Sequence, residues 1–191
     1  ADIGTYSEKA DALRDAMNKY LLNEDGLYCD GLTPEGAQSS NASQHANSYA
    51  IVAGAPDDKT LDGVVNYIAG LGMRQGTMTA HVLMDALFTS GATDAAVRLL
   101  TNTSDYGWAK VISRGGTFIW ENWHGTGSQS HGWGSASLWQ VIEYVCGVEI
   151  VEAGAKAIRI SPAVGAIDEV NSHTVTARGA VNISYSGSGR N

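Results

Sequence analysis

The strongest constraint on this chain is a succession of short apolar stripes at helical spacing, each followed by a break. Leu13, Met17, Tyr20 and Leu21 fall on one helix face, and Ala46, Tyr49, Ala50 and Ala53 on another. Val64, Ile68 and Leu71 make a third stripe, Val82, Leu83, Ala86 and Leu87 a fourth, and Ala92, Ala96, Leu99 and Leu100 a fifth. Residues three and four apart share a helix face, so each stripe predicts an amphipathic helix that must bury one side against a neighbour. Gly54, Gly72 and Gly91 stand at the ends, where a residue free to adopt positive φ can close a helix. Asn41 with Gln44 resembles a capping box, and Thr93 with Asp94 can satisfy the free amides of the next helix. The connections are tight, which predicts antiparallel neighbours. Helical hairpins in such a series suit a toroid or solenoid better than a four-helix bundle.

The last helical pattern carries Leu138, Ile142 and Val145 on one side and Trp139 and Cys146 on another, which predicts burial on both. From Gly147 the texture turns to β. Ala157-Ile158-Arg159-Ile160 and Val181-Asn182-Ile183-Ser184-Tyr185 alternate, and Thr174-Val175-Thr176-Ala177 is β-branched. The expected fold is therefore mainly α, a partial α/α barrel of helical hairpins over residues 1–147, with a small β segment over 148–191. No internal repeat or low-complexity stretch stands out.

A chain of 191 residues with 43% hydrophobic and 17% charged residues can bury a core and is expected to form one or two domains rather than a disordered segment. Its net charge of −8, with no basic cluster, argues against nucleic acid. No apolar run is long enough to cross a bilayer, and the N-terminus lacks the pattern of a signal peptide, so a targeting segment is expected to be already removed. Cys29 and Cys146 allow one bridge or none. Three Asn-x-Ser sequons, at Asn41, Asn102 and Asn182, fit a secreted glycoprotein.

The chemistry concentrates between Gly115 and Ser135. Here Glu121 lies between Trp120 and Asn122-Trp123, with His124 and His131 near and Trp133 just beyond. Aromatic faces accept the C–H side of a pyranose while His, Asn and Ser edges bind its hydroxyls. Glycoside cleavage also needs carboxyl groups, one acid on the leaving oxygen and one base on water or the anomeric carbon. Glu121 can be one of that pair, kept ionised by donors such as His124, His131 and Asn122. Taken alone, a Glu beside Trp is more often a surface residue, and such tryptophans are more often core than platform. His124 and His131 lack an obvious third ligand, which argues against zinc, and no cofactor is expected.

At these residues the sequence resembles the α-L-rhamnosidase family of inverting glycoside hydrolases. Thr117-Phe118-Ile119-Trp120-Glu121-Asn122-Trp123 is similar to the family's segment holding the general-base glutamate, which maps onto Glu121. Ser130-His131-Gly132-Trp133-Gly134-Ser135 is similar to the next motif, whose histidine and tryptophan line the sugar site. The likeness extends over nearly the whole chain, through Gly26 to Gly31, Ser43 to Asn47, Met84 to Gly91, Gly147-Val148, Gly154 and Ile158 to Pro162. The resemblance implies a six-hairpin α/α barrel followed by a β-sandwich. It also implies a rhamnose-containing glycoside or polysaccharide as substrate, bound by Trp120, Trp123, His124, His131 and Trp133.

No counterpart of the family's general acid occurs in these residues, so that carboxyl is expected outside this chain. Three readings follow: part of a larger hydrolase, a non-catalytic carbohydrate-binding fragment, or a structural protein built on such a barrel. A partial barrel exposes an apolar edge, so an N-terminal barrel fragment or a second copy of the chain is expected to cover it.

Overall fold

The computed structural model describes residues 2–162 and 167–187. The chain divides into two compact units, residues 1–92 and 93–191. The first contains α1 (Ile3–Tyr20), α2 (Gln44–Val52), α3 (Asp58–Gly70) and α4 (Ala80–Thr89). Its core is built around α4, where Val82, Leu83, Met84, Ala86, Leu87 and Phe88 are all buried. A helix apolar on every side is covered on every side, and α4 packs on both α2 and α3. From α3, Val64 and Ile68 contribute as their spacing predicts.

The α2 face differs from the expectation. Tyr49 is exposed, and the buried positions are Gln44, Asn47 and Ser48 together with Ala50 and Ile51. Gln44 and Asn47 pair with main-chain groups outside their own helix as well as being buried, and Ser48 Oγ accepts from Gln75 Nε2 at 3.0 Å. Gln44 Nε2 donates to the carbonyls of Ile68 and Gly72, each at 2.7 Å, while its Oε1 accepts from the Arg74 amide at 2.9 Å. Asn47 accepts from the Tyr28 amide at 2.9 Å and donates to the Tyr28 carbonyl at 3.0 Å. Apolar periodicity cannot register a helix that buries amides. The N-cap is Ser43, whose hydroxyl accepts from Ala46 N, so the Asn41/Gln44 capping box is not formed. Gly54, Gly72 and Gly91 do take positive φ at their helix ends.

Helix α1 forms over the predicted stretch but buries none of its residues, and Leu13 is 66% exposed. Its links to the unit are polar: Arg14 Nε donates to Ala53 O and Asn18 Nδ2 to Ala55 O, both at 2.8 Å. Between α1 and α2 lies a repeat that apolar patterning does not reveal. Residues 22–28 and 32–38 form two successive tight turns, each closed by a β-bridge, Leu22 to Tyr28 and Leu32 to Gln38. Each places a glycine with positive φ, Gly26 and Gly36, at the same step.

The second unit holds α5 (Thr93–Thr101), α6 (Trp108–Ser113) and α7 (Ala136–Gln140), then four strands. Helix α5 buries Ala96 and Leu99 as expected. The last predicted helix is α only to Gln140 and continues as a π-helical turn over Val141–Val145. Such a turn holds an extra residue, so the faces assigned at 3.6 spacing slip. Leu138 and Trp139, before the turn, are exposed, while Gln140, Val145 and Cys146 are buried. β1 (Val148–Ile150) pairs antiparallel with β2 (Ile158–Ile160), and β3 (Glu169–Thr176) with β4 (Gly179–Ser186). Cys29 and Cys146 are both buried free thiols, so no bridge forms. A mainly α chain of short helices ending in a β segment is thus the observed class.

Candidate active site

All the sequence-selected site residues lie in the second unit, on the long loop between α6 and α7. Two backbone hydrogen bonds close that loop across itself. His131 N donates to Ile119 O and Glu121 N donates to Ser128 O, both at 2.8 Å. Residues 119–131 therefore form a closed turn with Glu121 on one limb and Ser128 facing it. Within the turn, Asn122 takes the tip: its Nδ2 donates to Thr126 O at 2.5 Å, and its Oδ1 accepts from His124 N at 3.0 Å. This is the local Asx chemistry that lets a short polar side chain stand in for backbone pairing.

The tryptophans occupy different environments. Trp120 and Trp123 are only 6% and 5% exposed, whereas Trp133 is 41% exposed. Trp123 meets Trp108 edge-on, with ring centroids 5.3 Å apart, and Trp108 Nε1 donates to Gly134 O at 2.7 Å. The Arg114 guanidinium lies 5.0 Å from the Trp120 ring centroid and donates to His124 O at 3.0 Å. A Cβ on Gly125 would fall 2.7 Å from the Trp120 ring, and one on Gly116 2.6 Å from Val111. The glycine richness of this segment thus has a steric cause. The chain wraps so closely around a buried indole that no side chain fits.

Glu121 is partly exposed, and its Oε2 accepts from the Ser128 amide at 3.0 Å. The donors expected from the sequence are partly engaged elsewhere. Asn122 is used within the turn, and His124 Nε2 is 3.2 Å from the Tyr106 hydroxyl, with the two rings edge to face. His131 stacks on Trp133 with centroids 3.8 Å apart. A half-buried imidazole and an exposed indole in contact offer one polar edge and one apolar face, the pair a sugar ring can use. Sequence reasoning missed Tyr106, Trp108, Arg114 and the Ser128 amide. Aromatic character marks the first two, but a backbone donor leaves no residue-type signal.

In the same unit, an apolar groove of about 320 Å³ is lined by Val111, Ile112, Phe118, Ile119 and Leu138 among others, and Glu121 is not on its wall. Among the described residues, no group of three His, Cys, Asp or Glu side chains is placed to hold a metal ion.

Residues 1–144 match the family described as the bacterial alpha-L-rhamnosidase 6 hairpin glycosidase domain. The chain belongs to this family. Two solved structures share the fold of this rhamnosidase-family chain. An alpha-L-rhamnosidase from Dictyoglumus thermophilum superposes with a TM-score of 0.80 at 22% identity, over 98% of this chain and 22% of that one. The Streptomyces avermitilis alpha-L-rhamnosidase, in complex with L-rhamnose, gives 0.76 at 20% identity, over 97% of this chain and 19% of that one. The rhamnosidase-family chain therefore spans about a fifth of the length of either structure. No curated protein matches it in sequence.

Proposed function

We propose that this chain is part of a secreted glycoside hydrolase that cleaves terminal α-L-rhamnosides with inversion, Glu121 being the general base. The observation that carries the reading is a partly exposed carboxylate fixed by a backbone donor on a closed, aromatic-walled turn of a rhamnosidase-family domain. A base that activates water must stay ionised, and hydrogen bonding to its charged form favours that state. His124, His131 and Trp133 face the sugar in this proposal, while buried Trp120 and Trp123 form the wall that keeps the turn rigid.

An inverting pair needs a second carboxyl roughly 6.5–9.5 Å away, leaving room for water. That general acid lies outside this chain, on other hairpins of the six-hairpin domain. The barrel part of the chain ends near residue 147, where the β segment begins. The remaining hairpins also supply cover for two apolar surfaces, the exposed face of α1 with Ile3, Tyr6 and Leu13, and the groove edged by Ile112, Phe118 and Leu138.

Proton NMR of the complete protein acting on an aryl α-L-rhamnoside tests the reading. The expected first product is β-L-rhamnose, appearing before mutarotation. Initial release of the α anomer contradicts inversion, and no release of rhamnose contradicts the substrate. A carbohydrate-binding fragment would instead hold rhamnose without turnover and depend on Trp133 more than on Glu121.

A further inference from the structure

The loop around Glu121 contains a contact that neither glycoside chemistry nor family membership requires. Gly127 has φ +84°, and a Cβ built there would lie 2.6 Å from Glu121 Oε2 and 3.4 Å from its carboxyl carbon. The next residue, Ser128, donates its amide to that same Oε2 at 3.0 Å, and its carbonyl accepts from the Glu121 amide at 2.8 Å. One dipeptide therefore holds both the main chain and the carboxylate of Glu121. We propose that Gly127-Ser128 is the positioning device of the site, the Ser128 amide fixing one carboxylate oxygen and the missing side chain at Gly127 leaving the space that oxygen occupies.

Two physical facts support this. The backbone at 127 lies in the left-handed region, where L side chains are strained, and a Cβ there would displace the end of the Glu121 side chain from its place. The amide donor is also fixed by the ring it closes with the Glu121 amide, so its direction does not relax as a side-chain donor's would. Gly125, two residues earlier, is excluded from bearing a side chain by Trp120 instead. The turn thus separates two duties: Gly125 lets it close on the indole, and Gly127 lets it close on the carboxylate. Gly127 acts only through Glu121, so its role is positional.

The inference rests on the general-base reading, and its test separates the two. Wild type, Gly127→Ala, Glu121→Ala and the double variant are compared in the complete protein by aryl rhamnoside kinetics and by thermal melting. Gly127→Ala is expected to lower kcat about 100-fold with KM little changed, since a misplacement near 1 Å has about that effect on a reacting group. It is also expected to lower the melting temperature in both backgrounds through the strain at φ +84°, and more in wild type than in Glu121→Ala, where the carboxylate is gone. Unchanged kcat, or an equal loss of melting temperature in both backgrounds, overturns the proposal. If Gly127→Ala does not fold, a folded double variant supports the contact and an unfolded one overturns it. Wild-type turnover by Glu121→Ala contradicts the general-base reading itself, whereas an inactive Glu121→Ala beside an indifferent Gly127→Ala contradicts only the positioning.

Discussion

Single residues carry much of the specificity of this fold through polar burial. Tyr28 is buried between the two tight turns and the start of α2, with its hydroxyl 2.5 Å from Asn18 Oδ1 and both backbone groups on Asn47. Burial, with a smaller contribution from the charge of Asp57, pushes its phenol up from 10.0 to about 12. A phenol is neutral when protonated, so a raised folded value means the folded state holds the proton where the unfolded state has released it. The resulting stability is complete below pH 10 and is lost as pH rises toward about 12. Denaturation measured across that window should show stability falling with pH, and Tyr28→Phe should flatten the fall. An unchanged slope in Tyr28→Phe would place the effect elsewhere. None of this was legible in the sequence, where Tyr28 is one of eight tyrosines in a polar stretch. Glu121, by contrast, stands out as a candidate through its motif and the family resemblance it carries, though its donor, a main-chain amide, leaves no such mark.

At the scale of elements, periodicity located the helices well and their buried faces unevenly. It succeeded for α3, α4 and α5, whose buried faces are apolar, and failed for α2, which buries amides instead. Helix α1 shows a second kind of failure. Its stripe exists, but none of its residues is buried among the described residues. The π turn is a third, because an inserted residue resets the face count and no residue type announces it. That turn ends at Gly147, whose φ is +71° and whose absent Cβ would lie 2.2 Å from Ser161 C and Pro162 N. Ser161 N returns a hydrogen bond to Gly147 O at 2.9 Å, so this glycine joins the end of the helical part to the β1–β2 pair. Gly147→Ala must both strain the backbone and push the two segments apart. A loss of about 2–3 kcal/mol is expected, with proteolytic cleavage appearing first near residues 148–162. Native-like resistance to proteolysis would show that the approach at Gly147 is not required.

At the scale of the whole molecule, the chain spans about a fifth of the length of the two structures it resembles. The family match covers residues 1–144, and the aligned region is about a fifth of each of the two similar structures. The fold class was readable because hairpin periodicity and the Glu121 and His131 motifs point the same way. The second carboxyl of the proposed inverting pair was readable only as an absence, since the proposal places it on other hairpins. The exposed apolar residues of α1 and of the groove beside Phe118 are surfaces that the rest of the domain is proposed to bury. The most direct test of the central claim is the steady-state hydrolysis of an aryl α-L-rhamnoside by the complete protein carrying Glu121→Gln, with rhamnose affinity measured alongside. The neutral amide can still accept the Ser128 hydrogen bond but cannot take a proton from water. kcat should fall by about a thousandfold or more with affinity nearly unchanged, whereas retained turnover, or an equal loss of turnover and affinity, would contradict Glu121 as the general base.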